Sequence, residues 1–194
     1  MIFRTNMVIE KIAVIDTETN WNDRVMSIGI IVASALDFSI VDKRYYIITP
    51  DYKIGGMFSS TMNLMQNKEN IMKRSEVIEK IKSLLRSHNV TKIFAYNASF
   101  DYRHLPELSC YCWYDIMKIA ANKNYNRRIP VYLECYKNGK LKRGYGVESM
   151  YRILTGKMGY SESHNALKDA EDELQILKML NISIGIYLIN SAIN

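Results

Sequence analysis

Residues 11–18 read KIAVIDTE, an apolar run that ends in an acid, with a second acid two positions on. A short apolar run of this kind is expected to form a buried strand that delivers Asp16 at its C-terminal edge. In an extended segment residues i and i+2 project to the same side, so Asp16 and Glu18 could face one divalent ion. A bare Asp-x-Glu is also an ordinary surface turn, and the pair needs support from elsewhere in the chain.

Working outward, residues 25–34 and 40–49 read as two further strands joined by a short turn, which makes an antiparallel meander with the first. Residues 50–70 have no clear period and are expected to be loop. Residues 75–88, SEVIEKIKSLLRSH, place Val77, Ile78, Ile81, Leu84 and Leu85 at helical spacing, with Ser75 as the expected cap. Thr91-Lys92-Ile93-Phe94-Ala95-Tyr96 reads as another buried strand, followed by a helix from Asn97. Residues 114–122, 147–154 and 165–180 complete the helical set. A meander followed by alternating strand and helices predicts an α/β fold, with a mixed sheet of antiparallel meander plus parallel strands flanked by helices.

At 194 residues and 48% hydrophobic the chain suits one sizeable core, so a single domain is expected over residues 1–194. Residues 1–7 carry one charge and no long apolar run, which gives no sign of a secretory signal. The apolar C-terminal extension, residues 182–194, is far short of the ~20 residues a membrane span needs. It is expected to pack on the body of the protein or on another subunit. Cys110, Cys112 and Cys135 are an odd set with poor zinc spacing, which points to free thiols and a reducing cytoplasm. The net charge of +6, from 26 Lys and Arg against 20 Asp and Glu, suits a polyanionic partner.

Two further stretches could carry chemistry. In FAYNASFDYRHL, Asn97 begins an expected helix and Asp101 lies about one turn beyond it. In SHNALKDAEDEL, residues 163–174, Ala166, Leu167, Ala170, Leu174 and Leu177 form an apolar stripe, and Asp169 lies within that stripe. An acid on an apolar face is costly to bury unless something pairs with it, and a metal ion would do so. Glu171, Asp172 and Glu173 read as solvated helix surface, and His164 precedes the helix.

Asp16-x-Glu18, Asn97-x-x-Phe100-Asp101 and His164-x-Ala166-x-x-Asp169 together resemble the three exonuclease motifs of the DEDDh group. That group belongs to the DnaQ-like proofreading-exonuclease superfamily, with a ribonuclease H-like fold. The match runs in the expected order and frames residues 11–180. The resemblance implies a metal-dependent 3′–5′ exonuclease that hydrolyses phosphodiester bonds at the 3′ end of single-stranded DNA or RNA and releases mononucleotides. Asp16, Glu18, Asp101 and Asp169 would hold two Mg²⁺ or Mn²⁺ ions, for which hard oxygen ligands are suited. His164 would be the general base, a task suited to imidazole. Thr17 would lie against the terminal nucleotide, with Asn97 and Phe100 bordering its pocket. His88 and His104 fall outside the motifs.

Two features depart from the simplest members. The interval from Glu18 to Ser27-Ile28-Gly29 is short. Near residues 131–145, two strand-like arms around Asn138-Gly139 predict a basic β-hairpin insertion whose Lys140, Lys142 and Arg143 would grip phosphates. Tyr125, Tyr132, Tyr136 and Tyr145 could stack on bases. The family often dimerises, and the C-terminal segment offers a surface for a homodimer. The competing reading is a nucleic-acid-binding module that kept the fold without strong catalysis. Four acids plus His164 argue against it, since carboxylates without metal repel phosphate. An endonuclease on the same fold is disfavoured because the His164 motif belongs to the exonuclease branch.

Overall fold

A computed structural model describes residues 10–193; the reading of residues 1–7 lies outside this range. Strands β1 (Lys11–Thr19), β2 (Val25–Ser34) and β3 (Ile40–Thr49) form the antiparallel meander. β4 (Ile71–Lys73) adds parallel to β3 on one side. On the other side β5 (Lys92–Ala95) and β6 (Cys112–Asp115) add parallel to β1, which gives the order β4-β3-β2-β1-β5-β6.

Helices cover both faces because the central strands are apolar on both. Every residue of β2, VMSIGIIVAS, is buried. One face packs on α1 (Arg74–Ser87), whose Val77, Ile78, Ile81, Leu84 and Leu85 form the expected stripe. The other packs on α3 (Ile116–Ala120), α4 (Val147–Thr155), α5 (Ala166–Leu180) and α6 (Ile184–Asn190). α2 (Ser99–His104) leads away from the end of β5.

Gly29 sets how closely α5 approaches the sheet. It lies opposite Asp16 in the β1–β2 register, and a Cβ there would stand 2.2 Å from the Ala166 carbonyl oxygen and 2.4 Å from Leu167 Cα. Both contacts are helix backbone, which cannot rotate aside. Gly29→Ala is therefore expected to destabilise by about 3 kcal/mol, the top of the usual range for overpacking. Urea unfolding would measure it, and a loss under about 0.5 kcal/mol, typical of an innocuous surface change, would contradict the close approach.

Several local expectations are corrected. α1 begins at Arg74, and its first turn is closed by the Glu76 carboxylate accepting from the Lys73 N–H at 3.0 Å, so Ser75 is not the cap. The helix expected from residue 114 starts at Ile116. The aromatic pair Trp113-Tyr114 continues as strand β6, and Asp115 caps α3 by accepting from the Met117 N–H at 2.9 Å. Residues 50–70 contain three short 3₁₀ turns.

The Asn138-Gly139 turn forms, but its arms are not strands. One bridge pair, Cys135 with Leu141, closes it. The arms bond each other through the Tyr136 N–H to the Lys140 carbonyl at 2.8 Å and the Lys142 N–H to the Glu134 carbonyl at 3.0 Å, and they are tied to the end of α3 through the Leu141 N–H to the Ala121 carbonyl at 2.9 Å and Lys123 Nζ to the Leu133 carbonyl at 2.8 Å. The apolar C-terminal segment packs on its own chain: Tyr187 is fully buried and meets Phe94 edge-on with 5.7 Å between ring centroids, and Ile193 donates its N–H to the Trp113 carbonyl. That docking covers the free edge of β6 and leaves Ile189 exposed.

Candidate active site

Three elements deliver acids to one place. β1 carries Asp16 and Glu18 on the same side of its C-terminal end. Asp101, 2% exposed, comes from the first turn of α2, and Asp169, 3% exposed, from the first turn of α5, seated close by the Gly29 gap. Glu18, His164 and Asp169 each offer a ligand atom, and these atoms lie within 4.8 Å of one another.

Their electrostatics show the crowding. Burial raises the Asp16 carboxyl well above the ordinary carboxylate range, and Glu173, Asp101, Asp169 and Glu18 push it further in that order. Burial, then Asp169, Glu162 and Asp101, lifts Glu18 to about 8. Asp101 is raised by burial to about 7, against the lowering effect of the Thr17 hydroxyl, which donates to it at 2.7 Å. Asp169 is raised by burial to about 6, with Ser163 donating to it at 3.3 Å. Among the described residues no Lys or Arg pairs with any of these acids. Asp16 Oδ2 is buried with no hydrogen-bond partner.

Such a donor set suits a hard divalent cation: several carboxylate oxygens converge, one of them lacks any partner, and repulsion rather than pairing dominates. Without metal these carboxyls hold protons that the unfolded chain releases above its ordinary carboxylate range, near pH 4. The stability tied to them is therefore complete below about pH 4 and is lost as pH rises through the folded-state values toward 8. We expect the metal-free thermal midpoint to fall from about pH 5 to 8. Mg²⁺ or Mn²⁺, which compete with those protons, should raise it more at about pH 8 than at about pH 6. A metal-free midpoint flat across that range, with no response to either ion, would contradict the crowding.

The acids after Asp169 do not behave alike, which corrects the reading of all three as solvated. Glu171 accepts from Lys43 at 2.6 Å and from Lys168 at 2.9 Å at the surface. Asp172 accepts from the Tyr160 hydroxyl at 2.6 Å. Glu173 is 2% exposed, its Oε2 has no partner, and it is the strongest electrostatic neighbour of Asp16. One signal could have found it: Glu173 follows Asp169 by four residues, which puts it on the same helix face.

His164 is held by contacts that the local sequence did not reveal. Its backbone is left-handed, with φ 52°, and its ring stacks on Phe58 at 3.7 Å between centroids and 13° between planes. The Thr61 hydroxyl donates to the His164 carbonyl, and the Asn165 side chain returns a bond to the Thr61 carbonyl at 2.9 Å. The stretch 50–70 therefore folds over the start of α5.

The other expected residues are dispersed. Thr17 is 5% exposed and committed to Asp101. Asn97 is exposed, with left-handed backbone at φ 61°, and donates its N–H to Asp115 at 3.1 Å. Phe100 is half-buried with its ring 4.2 Å from that of His104. Lys140 and Lys142 are exposed and line a cleft beside Asn97, whereas Arg143 is exposed outside that lining. His104 bonds Asp23 at 3.0 Å and His88 sits between Lys11 and Asp42, both away from the acids.

No family model and no curated protein matches the sequence. Solved structures match its fold. The nuclease domain of 3′hExo, a DEDDh family member bound to rAMP, superposes with a TM-score of 0.63 at 12% identity, over 96% of this chain and 97% of that one. This chain shares the fold of that domain. That ribonuclease H-like α/β fold is shared with E. coli exonuclease I in complex with a dA16 oligonucleotide, at a TM-score of 0.63 and 12% identity over 93% of this chain. This chain spans 42% of the length of exonuclease I. A 3′-exonuclease solved for its recognition of a histone mRNA stem-loop matches at a TM-score of 0.60 and 14% identity, over 89% of this chain and 82% of that one. Among the described residues no helix is long and apolar enough to cross a membrane.

Proposed function

We propose that the protein is a metal-dependent 3′–5′ exonuclease of the DEDDh group that acts on single-stranded nucleic acid and releases mononucleotides. The observation that carries this reading is the set of converging carboxylates without a cationic partner, with Asp16 Oδ2 left unsatisfied. Asp16, Glu18, Asp101 and Asp169 would hold two Mg²⁺ or Mn²⁺ ions. Bound there, the ions would stabilise charge on the attacking and leaving oxygens.

His164 takes the proton of the attacking water as its oxygen bonds to the terminal phosphorus. The bond from phosphorus to the 3′ oxygen of the preceding nucleotide breaks, and that oxygen leaves with a proton as the new 3′ hydroxyl. Thr17 fixes Asp101 through its hydroxyl, and Asn97 and Phe100 border the terminal nucleotide. Three free thiols fit work in a reducing cytoplasm.

Phe58 acts as a positioning residue for His164 in this scheme. Phe58→Ala is expected to lower kcat by ~2–10-fold, matching an aromatic stacking energy of about 0.5–1.5 kcal/mol. Phe58→Tyr should restore the rate, and KM should change little. An unchanged kcat, or a defect confined to KM, would remove Phe58 from that role.

Release of mononucleotides from DNA and RNA strands of one sequence, with Mg²⁺, with Mn²⁺ and with chelator, tests the function and reads the sugar preference together. Metal-dependent release supports it. Binding without release under every metal would favour the non-catalytic module instead.

A further inference from the structure

From Asn122 to Gly146 the chain carries seven of its 26 Lys and Arg residues and one of its 20 acids, Glu134. This segment accounts for the whole net charge of +6, and over the rest of the chain cations and acids balance. The charge is therefore local. It sits where the Asn138-Gly139 turn folds back beside the end of β5.

Between that turn and the sheet lies a cleft of about 580 Å³, a size typical of small-ligand sites. Tyr136, Lys140, Lys142 and Tyr145 line one side, and Asn97 and Met117 the other. Tyr136 is 56% exposed and Tyr145 is 43% exposed, so the rings offer open area to a ligand. Tyr96 links this cleft to the acids. Its backbone amide favours the ionised form of the buried Glu173 carboxyl, and its hydroxyl donates to the Tyr145 carbonyl at 2.5 Å. Asn97, on the cleft wall, precedes α2 and lies four residues before Asp101 in the chain.

The acids and the cleft have opposite electrostatics at short range. Converging carboxylates repel a phosphodiester chain, and a basic wall beside them supplies the affinity they lack. Open tyrosine rings accept bases only when those bases are unpaired and splayed. We infer that the cleft seats unpaired nucleotides of the substrate strand, bases against Tyr136 and Tyr145 and phosphates at Lys140 and Lys142, which leads that strand to the acids. This rests on the nuclease reading above and adds where the strand runs and why it must be single.

Fluorescence anisotropy of a 5′-fluorescein oligothymidylate in Ca²⁺ tests it, with the wild type assayed on the same strand in Mn²⁺. Tyr136→Ala and Tyr145→Ala should each weaken binding by about tenfold, with Tyr136→Phe restoring it. Lys140→Ala with Lys142→Ala should flatten the slope of log K against log salt by about 1.4, which is about 0.7 for each phosphate that is no longer neutralised. These side chains are exposed, and the Tyr145 carbonyl that Tyr96 uses is backbone, so thermal midpoints should report folded variants. A wild type that shortens the strand while the variants bind it unchanged overturns the cleft and leaves the nuclease. A blunt duplex bound as tightly as the single strand also overturns it. A wild type that shortens nothing removes the nuclease reading, and the variants' weaker binding would then support the cleft as a binding site alone.

Discussion

Asp16→Asn is expected to abolish hydrolysis while raising the thermal midpoint of the metal-free protein. Both effects come from one carboxylate. In the proposed mechanism Asp16 supplies one of the four carboxylate ligands, and losing it removes cation as well as charge, so kcat/KM should fall beyond the ~10²–10⁴ typical of losing a general base. In the absence of metal the same group is a liability. Its Oδ2 is buried with no partner, and Glu173, Asp101, Asp169 and Glu18 all oppose its ionisation. Asparagine keeps the shape and removes the charge, so the fold gains where activity is lost. Thermal unfolding with and without Mn²⁺ would also show the metal response weakened. A variant within tenfold of wild-type activity would remove Asp16 from the site, and a lower metal-free midpoint would contradict the account of repulsion.

His164→Ala should separate chemistry from metal binding. It removes the proposed base and leaves all four acids, so kcat is expected to drop by about 10²–10⁴ while Mg²⁺ and Mn²⁺ still raise the thermal midpoint. The stack on Phe58 and the Thr61 bond to its carbonyl fix where the imidazole stands, and alanine keeps the carbonyl bond. The start of α5 should therefore stay in place. Loss of the metal response together with the rate would make His164 a ligand, an outcome its closeness to Glu18 and Asp169 makes worth measuring. Unchanged turnover would remove it from the chemistry.

The central strands were legible because their apolar runs are long and bounded by turns: β2 and β3 have the expected limits. The motif acids stood out through their spacing at element ends; Glu18 and Asp169 lie together with His164, and Asp16 and Asp101 are their electrostatic neighbours. β6 was missed because four residues of strand run directly into a capped helix, and only the parallel pairing with β5 distinguishes them. The arms around Asn138-Gly139 carried a strong local turn signal and do pair at one bridge, yet bonds to the end of α3 also hold them and no strand extends from the turn. Phe58 lies more than a hundred residues from His164 in an aperiodic stretch, so no local pattern connects them. Glu173 is different. Its place four residues after Asp169 was visible, but a run of three acids reads as solvated unless each is set on the helix face.

The central claim, that these acids serve cation-dependent removal of nucleotides from a 3′ end, is tested most directly by the product ladder of a 5′-labelled single strand. With Mg²⁺ or Mn²⁺ the wild type should yield stepwise shorter labelled strands. Asp16→Asn, or chelator, should leave the strand whole. Internal cuts, an immediate labelled mononucleotide from the 5′ end, or shortening that persists in chelator would contradict the account.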